Sequence, residues 1–407
     1  MDEPLHLGVV GLGRAFMLML PTLAHHPLVR LVAAADPREE ARRRFESDFS
    51  RPGSPARSYD DVETLCADDG VEALYIASPH QFHVAHVRLA AAHGKHILVE
   101  KPMALTIADC EAMIEAARAG GVHLLVGHSH SFDAPYLKAA ELIQSGGFGR
   151  ARMITAVNHT DFLYRPRRPE ELDTAQGGGV VFSQGAHQID IVRLLGGGLA
   201  SGVRATIGRF DPARPTEGAY QAFLTFVDGA SATLTYSGYG RYDSDEQLGW
   251  IGEMGQRRDP ESYGAARRAL ARVSSPEEEA ALKNARTYGV AGHAISPPVV
   301  AAGHNHFGPI MICCEQADLR PLADGVMIYA DESRWLEPLP APTVPRAEVI
   351  DELHAAARKG VAPLHSGAWG MATLEVCLAI LHSARTGAEV ALRHQVRPAA
   401  GPATSGS

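Results

Sequence analysis

A glycine loop, an acidic strand end, a lysine and a histidine are the places in this chain where residue type and spacing could do chemistry. Gly8-Val9-Val10-Gly11-Leu12-Gly13-Arg14-Ala15-Phe16 follows an apolar segment and opens a helical pattern. Gly11 and Gly13 allow a tight turn and close backbone approach to a diphosphate, which a helix N-terminus then stabilises. Phe16 stands where a third glycine is usual, so the helix is expected to pack on its sheet in a non-standard way. Asp36 ends the next apolar run, 23 residues after Gly13. Its carboxylate is placed to accept hydrogen bonds from adenosine ribose hydroxyls and to repel a 2′-phosphate, which favours NAD. Arg38, two residues on, could reach a 2′-phosphate and keeps NADP open. A tight turn that binds nothing is the alternative.

Lys101 follows the apolar run His96–Glu100, at the strand end where open α/β sheets bind ligands. Partial burial would lower its pKa and suit it to polarise a hydroxyl or share in proton transfer. An ion pair with Glu100 is the structural alternative. Gly177-Gly178-Gly179 then precede an apolar stretch carrying Ser183, His187 and Asp190. That order suggests a loop close to a ligand and then a helix, with Asp190 three residues after His187 and Ser183 four before it. A satisfied structural histidine is the competing reading. Tyr164, Arg165, Arg167 and Arg168 could clamp a carboxylate, because guanidinium groups bind carboxylates bidentately. They could equally be a solvated loop paired with Glu170 and Glu171. The pairs His128/His130 and His304/His306 offer polar contacts, but no acid or cysteine pattern completes a metal site, so none is expected.

These residues need elements to position them. Strand-like runs at Leu5–Val10, Val29–Ala35, Val71–Ala77, His96–Glu100 and His123–Val126 alternate with helical stretches, the clearest capped by Thr106. That alternation predicts an α/β fold with a doubly wound parallel (Rossmann) sheet over residues 1–127. From 128 to 395 the character changes. Met153–Asn158 is strand-like, and Tyr220–Val227 and Ala230–Ser237 flank Asp228-Gly229 as a hairpin, so a second, antiparallel or mixed sheet is expected. The stretch 241–304, with a helix start at Ser275-Pro276, reads as an insertion acting as a lid or an oligomer contact. Met371, Leu374, Cys377, Leu378 and Leu381 form a helical stripe closed by Gly387, and 396–407 is expected to be a disordered tail.

Composition narrows the function classes. With 38 basic against 47 acidic residues the net charge is −9, which argues against broad nucleic-acid binding. No apolar run in the sequence approaches the roughly 20 residues of a membrane span. The acidic N-terminus does not read as a signal peptide, and five cysteines without a CxxC pair fit free thiols in a reducing cytoplasm.

Taken in order, the glycine loop, Ser78-Pro79-His80 with His83, Glu100-Lys101-Pro102, the triple glycine leading to His187 and Asp190, and Ala384-Arg385-Thr386-Gly387 resemble the glucose–fructose oxidoreductase/inositol dehydrogenase (Gfo/Idh/MocA) family. The resemblance covers most of the chain. It implies an N-terminal Rossmann domain, a C-terminal α+β domain with an open, mostly antiparallel sheet, and a site between them with Lys101 and His187 as catalytic residues. It also implies cofactor contacts from Gly11 to Phe16, from Asp36 and Arg38, and from Ser78, Pro79, His80, His83 and Glu100 with Lys101. Two departures stand out: members commonly carry Asn in place of His80, and many sugar and inositol dehydrogenases carry Asp where this chain has Ser183. The second departure weakens a polyol reading. Within the family the chain looks most like the branch of bacterial phthalate breakdown, which implies an anionic cis-dihydrodiol dicarboxylate oxidised with NAD. Tyr164, Arg165, Arg168, Ser183, His187 and His306 would then border the substrate. A pyranoside or polyol dehydrogenase and a non-catalytic dinucleotide-binding regulator are the other readings. One uncovered sheet face suggests homodimers or homotetramers.

Overall fold

The computed structural model describes residues 3–290 and 301–399. Six short apolar strands form the first sheet: β1 (Leu5–Val10), β2 (Val29–Ala35), β3 (Arg57–Tyr59), β4 (Ala73–Ile76), β5 (His96–Val99) and β6 (Leu124–Val126). All pair in parallel, in the order β3-β2-β1-β4-β5-β6. The strand order reverses between β1 and β4, which opens a crevice at their carboxyl ends, where such sheets hold their ligands. Helices α1 (Arg14–His25), α2 (Glu39–Phe49), α3 (Val62–Cys66), α4 (His83–Ala92) and α5 (Ile107–Ala119) make the crossovers. Thr106 caps α5 as predicted, its hydroxyl accepting the Asp109 amide at 3.1 Å. The three-residue β3 has no sequence signal, because Arg57-Ser58-Tyr59 carries no apolar run.

Helix α6 (Ala134–Gln144) leads into the second sheet. Its strands are β7 (Ala151–His159), β8 (Ala200–Gly208), β9 (Ala219–Phe226), β10 (Ser231–Ser237), β11 (Ile310–Cys314), β12 (Asp318–Leu322), β13 (Gly325–Tyr329), β14 (Arg334–Pro338) and β15 (Val390–Ala391). They lie in the order β14-β13-β12-β11-β7-β10-β9-β8-β15, and only β7 and β10 pair in parallel. The hairpin at Asp228-Gly229 forms as predicted, Gly229 taking φ of +85°. Helices α7 (Ala186–Leu195), α8 (Ala265–Leu270), α9 (Pro276–Asn284), α10 (Ala347–Lys359) and α11 (Gly367–Thr386) complete the α-helices of the described residues. Strand alternation sorts the sheet into two faces. Ile154, Ala156, Leu224 and Leu234 are buried, whereas Met153, Phe223 and Val227 are exposed.

Three features depart from the sequence reading. Phe16 is fully buried and does not disturb the sheet. It fills space beside α2, 6.5 Å from the Phe45 ring, and meets the Tyr288 ring edge-on at 5.1 Å. Helix α11 has 20 residues and the mean hydropathy of a membrane span, contrary to the absence expected, but it packs against α5, α7 and β8 with Trp369, Val376 and Ile380 in the core. Val396, placed in the disordered tail, packs on the core, whereas 400–407 lie outside the described residues.

The stretch 241–304 is neither detached nor distant from the crevice. Ser275 caps α9 as expected. Glu253 reaches His130, and Tyr288 docks on the first sheet's helices, its hydroxyl donating to Asp48 at 2.7 Å. Its residues 291–300 lie outside the described part. Helix α10 also crosses back: Val349, Ile350 and Leu353 share a core with Leu7, Phe16, Leu20 and Val29.

Candidate active site

Lys101 leaves the carboxyl end of β5, and its ammonium donates to the Ser183 carbonyl at 2.6 Å. Glu100 does not pair with it; that carboxylate accepts the Tyr75 hydroxyl at 2.6 Å. Ser183 lies in a wider turn, Val181–Gly185, that feeds directly into α7. π-type turns of this kind recur at functional sites. His187 sits in the first turn of α7, so the turn that holds the lysine also presents the histidine.

His187 is buried, and its Nδ1 has no hydrogen-bond partner. Its ring faces His130 at 4.8 Å, Phe307 at 5.2 Å and His128 at 6.2 Å. Burial holds its pKa well below the usual value, and the nearby Lys101 charge adds to that effect. The imidazole is therefore unprotonated at neutral pH and can accept a proton. Burial also lowers the Lys101 pKa, against the opposing charges of Glu100 and Glu253.

The expected neighbours of His187 do something else. Asp190 accepts from Trp369 Nε1, Thr373 and Ser131 and ties α7 to α11. The Ser183 hydroxyl donates to the Gly179 carbonyl. The triple glycine is explained by packing. Side chains added at Gly178 and Gly179 would overlap the Glu170–Glu171 backbone and the Glu217 carboxylate, and Gly177 abuts Leu105 and His80. Gly179 also has φ of +80°. Gly179→Ala should therefore cost about 3 kcal/mol, from left-handed strain plus overpacking. Urea unfolding would register this, and a cost below about 1 kcal/mol would show that Glu217 moves aside freely.

A charged cluster lies behind His187, and the sequence marks its histidines, His128 and His130, but not its acids. His130 is buried between two carboxylates, Asp133 at 2.6 Å and Glu253 at 3.2 Å, and His128 also reaches Asp133 at 3.3 Å. Burial opposes the charge on His130, but the two carboxylates outweigh it and raise its pKa. His128 has less such support, and burial pushes it down to about 3. The ligand atoms of His128, His130 and Asp133 are close enough to hold a metal ion, so the acid missing from the sequence pattern is present after all. With both ring nitrogens of His130 on carboxylates, the arrangement reads as a buried ion-pair chain. Glu253 has no local signal, since only the fold brings residue 253 to residue 130.

The expected substrate contacts separate. Arg165 donates to Asp161 at 3.0 Å and lies within range of the Glu253 carboxylate and the Tyr236 phenol, beside the His187 pocket. Arg168 pairs with Glu170 and Glu171, and Arg167 pairs with Glu171 and covers the Phe162 ring at 3.5 Å. Tyr164 bonds Asp211 and lies under Arg267. His306 uses both ring nitrogens on backbone, donating to the Ile251 carbonyl at 2.7 Å and accepting the Gly308 amide at 3.1 Å. All three arginines of this loop are paired with local carboxylates, Arg165 with Asp161, and of the three only Arg165 also lies within range of Glu253.

The glycine loop fits a dinucleotide diphosphate. A Cβ on Gly11, at φ of +90°, would crowd Ser78 N and Ala77 O at 3.0 and 3.1 Å, whereas Gly13 faces open space. Helix α1 begins with no side-chain cap and no acid in its first turn, so the amides of Arg14, Ala15 and Phe16 are left for an anion. Phe16 contributes there through backbone alone. Asp36 is more occupied than expected. Its oxygens accept the Leu12 and Arg38 amides and the Arg38 guanidinium, which also reaches the Leu12 and Tyr288 carbonyls. A 2′-phosphate would find Arg38 already committed. Pro79 is exposed beside the crevice, and His80 lies against Gly177. His83 is a clasp, its ring nitrogens on the Ser78 and Met103 carbonyls.

Comparison with known proteins agrees with this geometry. Residues 5–128 match the oxidoreductase family with an NAD-binding Rossmann fold, and residues 136–257 match the GFO/IDH/MocA C-terminal domain. A 1-carboxy-3-chloro-3,4-dihydroxycyclohexa-1,5-diene dehydrogenase of Comamonas testosteroni is 46% identical over 381 residues, 94% of this chain and 95% of the relative. An inositol 2-dehydrogenase of Saccharopolyspora erythraea is 31% identical over 52% of this chain and 60% of its own. The crystal structure of a proposed dehydrogenase from Bordetella bronchiseptica RB50 superimposes with a TM-score of 0.89 at 41% identity, covering 95% of this chain and 100% of that one. Matched in both halves, in sequence and in fold, the chain belongs to the GFO/IDH/MocA family of NAD-binding oxidoreductases.

Proposed function

We propose that the protein is an NAD-dependent dehydrogenase that oxidises a carboxylated cyclohexadiene cis-diol, 4,5-dihydro-4,5-dihydroxyphthalate being the named candidate. The observation that carries the reading is the neutral His187 imidazole beside the Lys101 ammonium, both held by the Val181–Gly185 turn that feeds α7. A 46% identical relative named for a carboxylated dihydroxycyclohexadiene supports the substrate class.

When bound, the nicotinamide supplies the hydride acceptor. Gly11, Gly13 and the first-turn amides of α1 would hold the diphosphate, with Lys101 at the nicotinamide end. His187, through its accessible ring nitrogen Nε2, takes the proton of one substrate hydroxyl. Lys101 stays charged, oriented by the Ser183 carbonyl, and stabilises the oxyanion that forms. Arg165 holds a carboxylate at the far side of the pocket. The dienone produced then tautomerises to an aromatic catechol, which draws the oxidation forward. A polyol substrate is less well served, because Ser183 offers no carboxylate and spends its hydroxyl on Gly179. Five free cysteines suit a reducing, cytoplasmic setting, and the exposed Met153, Phe223 and Val227 face suits a homo-oligomer.

NAD reduction should be compared among the phthalate cis-diol, a monocarboxylated cis-dihydrodiol, myo-inositol and glucose. A carboxylated diol is expected to exceed the polyols in kcat/KM by about 100-fold or more, the discrimination one charge-assisted contact supplies. With Arg165 as the loop arginine nearest the pocket, the monocarboxylate is expected to compete well with the dicarboxylate. A polyol turned over faster than either acid would reject the reading.

A further inference from the structure

Arg346 is an anomaly in this fold. The residue is only 8% exposed, yet among the described residues no carboxylate pairs with it. Its terminal nitrogens lie on sulfur, Met19 Sδ at 3.7 Å and Met254 Sδ at 3.0 Å, and Nε has no partner. Thioethers are weak acceptors, so they do not compensate a buried guanidinium. The residue stands immediately before α10, on the segment that crosses back to the first sheet. Glu100 and Glu253 are near enough to feel its charge, but neither closes to an ion pair.

Two more arginines share this region. Arg14 opens α1 directly after the glycine loop, and Arg286 comes from the 241–304 stretch. Among the described residues neither guanidinium has a hydrogen-bond or ion-pair partner. Tyr288, two residues beyond Arg286, packs on Phe16, and Arg346 lies on Met19, so both flank the first turns of α1 around a common space with Arg14, whose pKa is lowered by burial first and then by their charges. That space fronts the uncapped amides of α1 and the open side of Gly13. Mutually repelling cations and free amides around one volume call for a polyanion. A dinucleotide diphosphate, with its two charges, matches it better than a single substrate carboxylate, which needs only the β5 end.

We propose that Arg346, joined by Arg286, completes the diphosphate site of the dinucleotide, so that part of the grip on the cofactor comes from outside the first sheet's own segment. This rests on the reading of the protein as a dinucleotide enzyme. The 241–304 stretch thereby takes part in cofactor binding, supplying Arg286 directly and backing Arg346 through Met254.

The test is binding, separate from turnover. NADH and ADP-ribose, which carry the diphosphate, are titrated against the unmodified protein, Arg346→Gln and Arg286→Gln, with adenosine as a competitor lacking phosphate. Arg346→Gln should weaken NADH and ADP-ribose by about 10- to 100-fold, as expected for charge-assisted hydrogen bonds, and leave adenosine within about twofold. Arg286→Gln, an exposed position with no risk to folding, should weaken both by about 3- to 10-fold in the same pattern. If Arg346→Gln does not fold, the Arg286 variant decides alone. Equal losses for adenosine and ADP-ribose would overturn the proposal. So would unchanged ADP-ribose affinity with a raised diol KM at saturating NAD, which would assign Arg346 to the substrate carboxylate. Failure of the unmodified protein to bind either NADH or ADP-ribose would instead reject the enzyme reading itself.

Discussion

Lys101→Met should lower kcat by about a thousandfold while NADH affinity changes by less than about threefold, because charge stabilisation is lost but the diphosphate grip is untouched. The same variant carries a sign test in its pH profile. The Lys101 charge is, after burial, the largest influence holding the His187 pKa down. A base with a depressed pKa works down to that pKa and is lost as pH falls through it. Without the ammonium, the His187 pKa rises, so the acid limb of the residual kcat/KM must move to higher pH. The unmodified enzyme should in turn lose activity as pH rises through the lowered Lys101 pKa, where the ammonium is neutralised. His187→Ala should cost a similar factor in kcat and should abolish the acid limb altogether. An acid limb that stays in place when the lysine is removed would show that the two groups are not coupled.

Asp190→Ala should cost about 3–5 kcal/mol in unfolding free energy and lower the melting temperature by about 5 °C. The carboxylate accepts Trp369 Nε1 at 2.5 Å and the Thr373 hydroxyl at 2.7 Å. It is also the acid nearest to Arg193, at 3.7 Å, a fully buried guanidinium that stacks on Trp369 at 3.9 Å and has Nη2 without a partner. Removing the acid therefore strands a buried charge. Because α7 also carries His187, the fraction of active protein should fall in step with the folded fraction. Asp190→Asn keeps the shape and some of the hydrogen bonds and should cost less. Equal stability of Asp190→Ala and the unmodified chain would mean that Arg193 finds compensation elsewhere.

The order of chemistry is legible in the sequence, its partnerships only partly so. Strands of the first sheet are short apolar runs whose local composition decides their conformation, and Leu5–Val10 and Val29–Ala35 have the boundaries expected of them. Asp228-Gly229 dictates a hairpin by turn chemistry alone. By contrast, helical spacing puts Asp190 beside His187, but a bulky donor from α11, Trp369, outcompetes it across 179 residues of sequence. Arg167 and Arg168 are expected to face a ligand, but acids three and four residues away bind them first. Strands β11 to β14 leave little signal because strands such as Asp318–Leu322 are short and broken by a charge and a proline. No local pattern marks Glu253 or Arg346 either. What singles them out is burial without, or between, charges, and that exists only once the chain is folded.

The return of α10 to the first sheet bears on how this protein can be taken apart. A fragment ending near residue 127 would lose the cover that Val349, Ile350 and Leu353 provide and would bare Leu7, Leu20 and Val29 along one side. The nucleotide-binding half is therefore no portable cassette: its waterproofing is encoded more than two hundred residues downstream, and any transplant must bring that helix along.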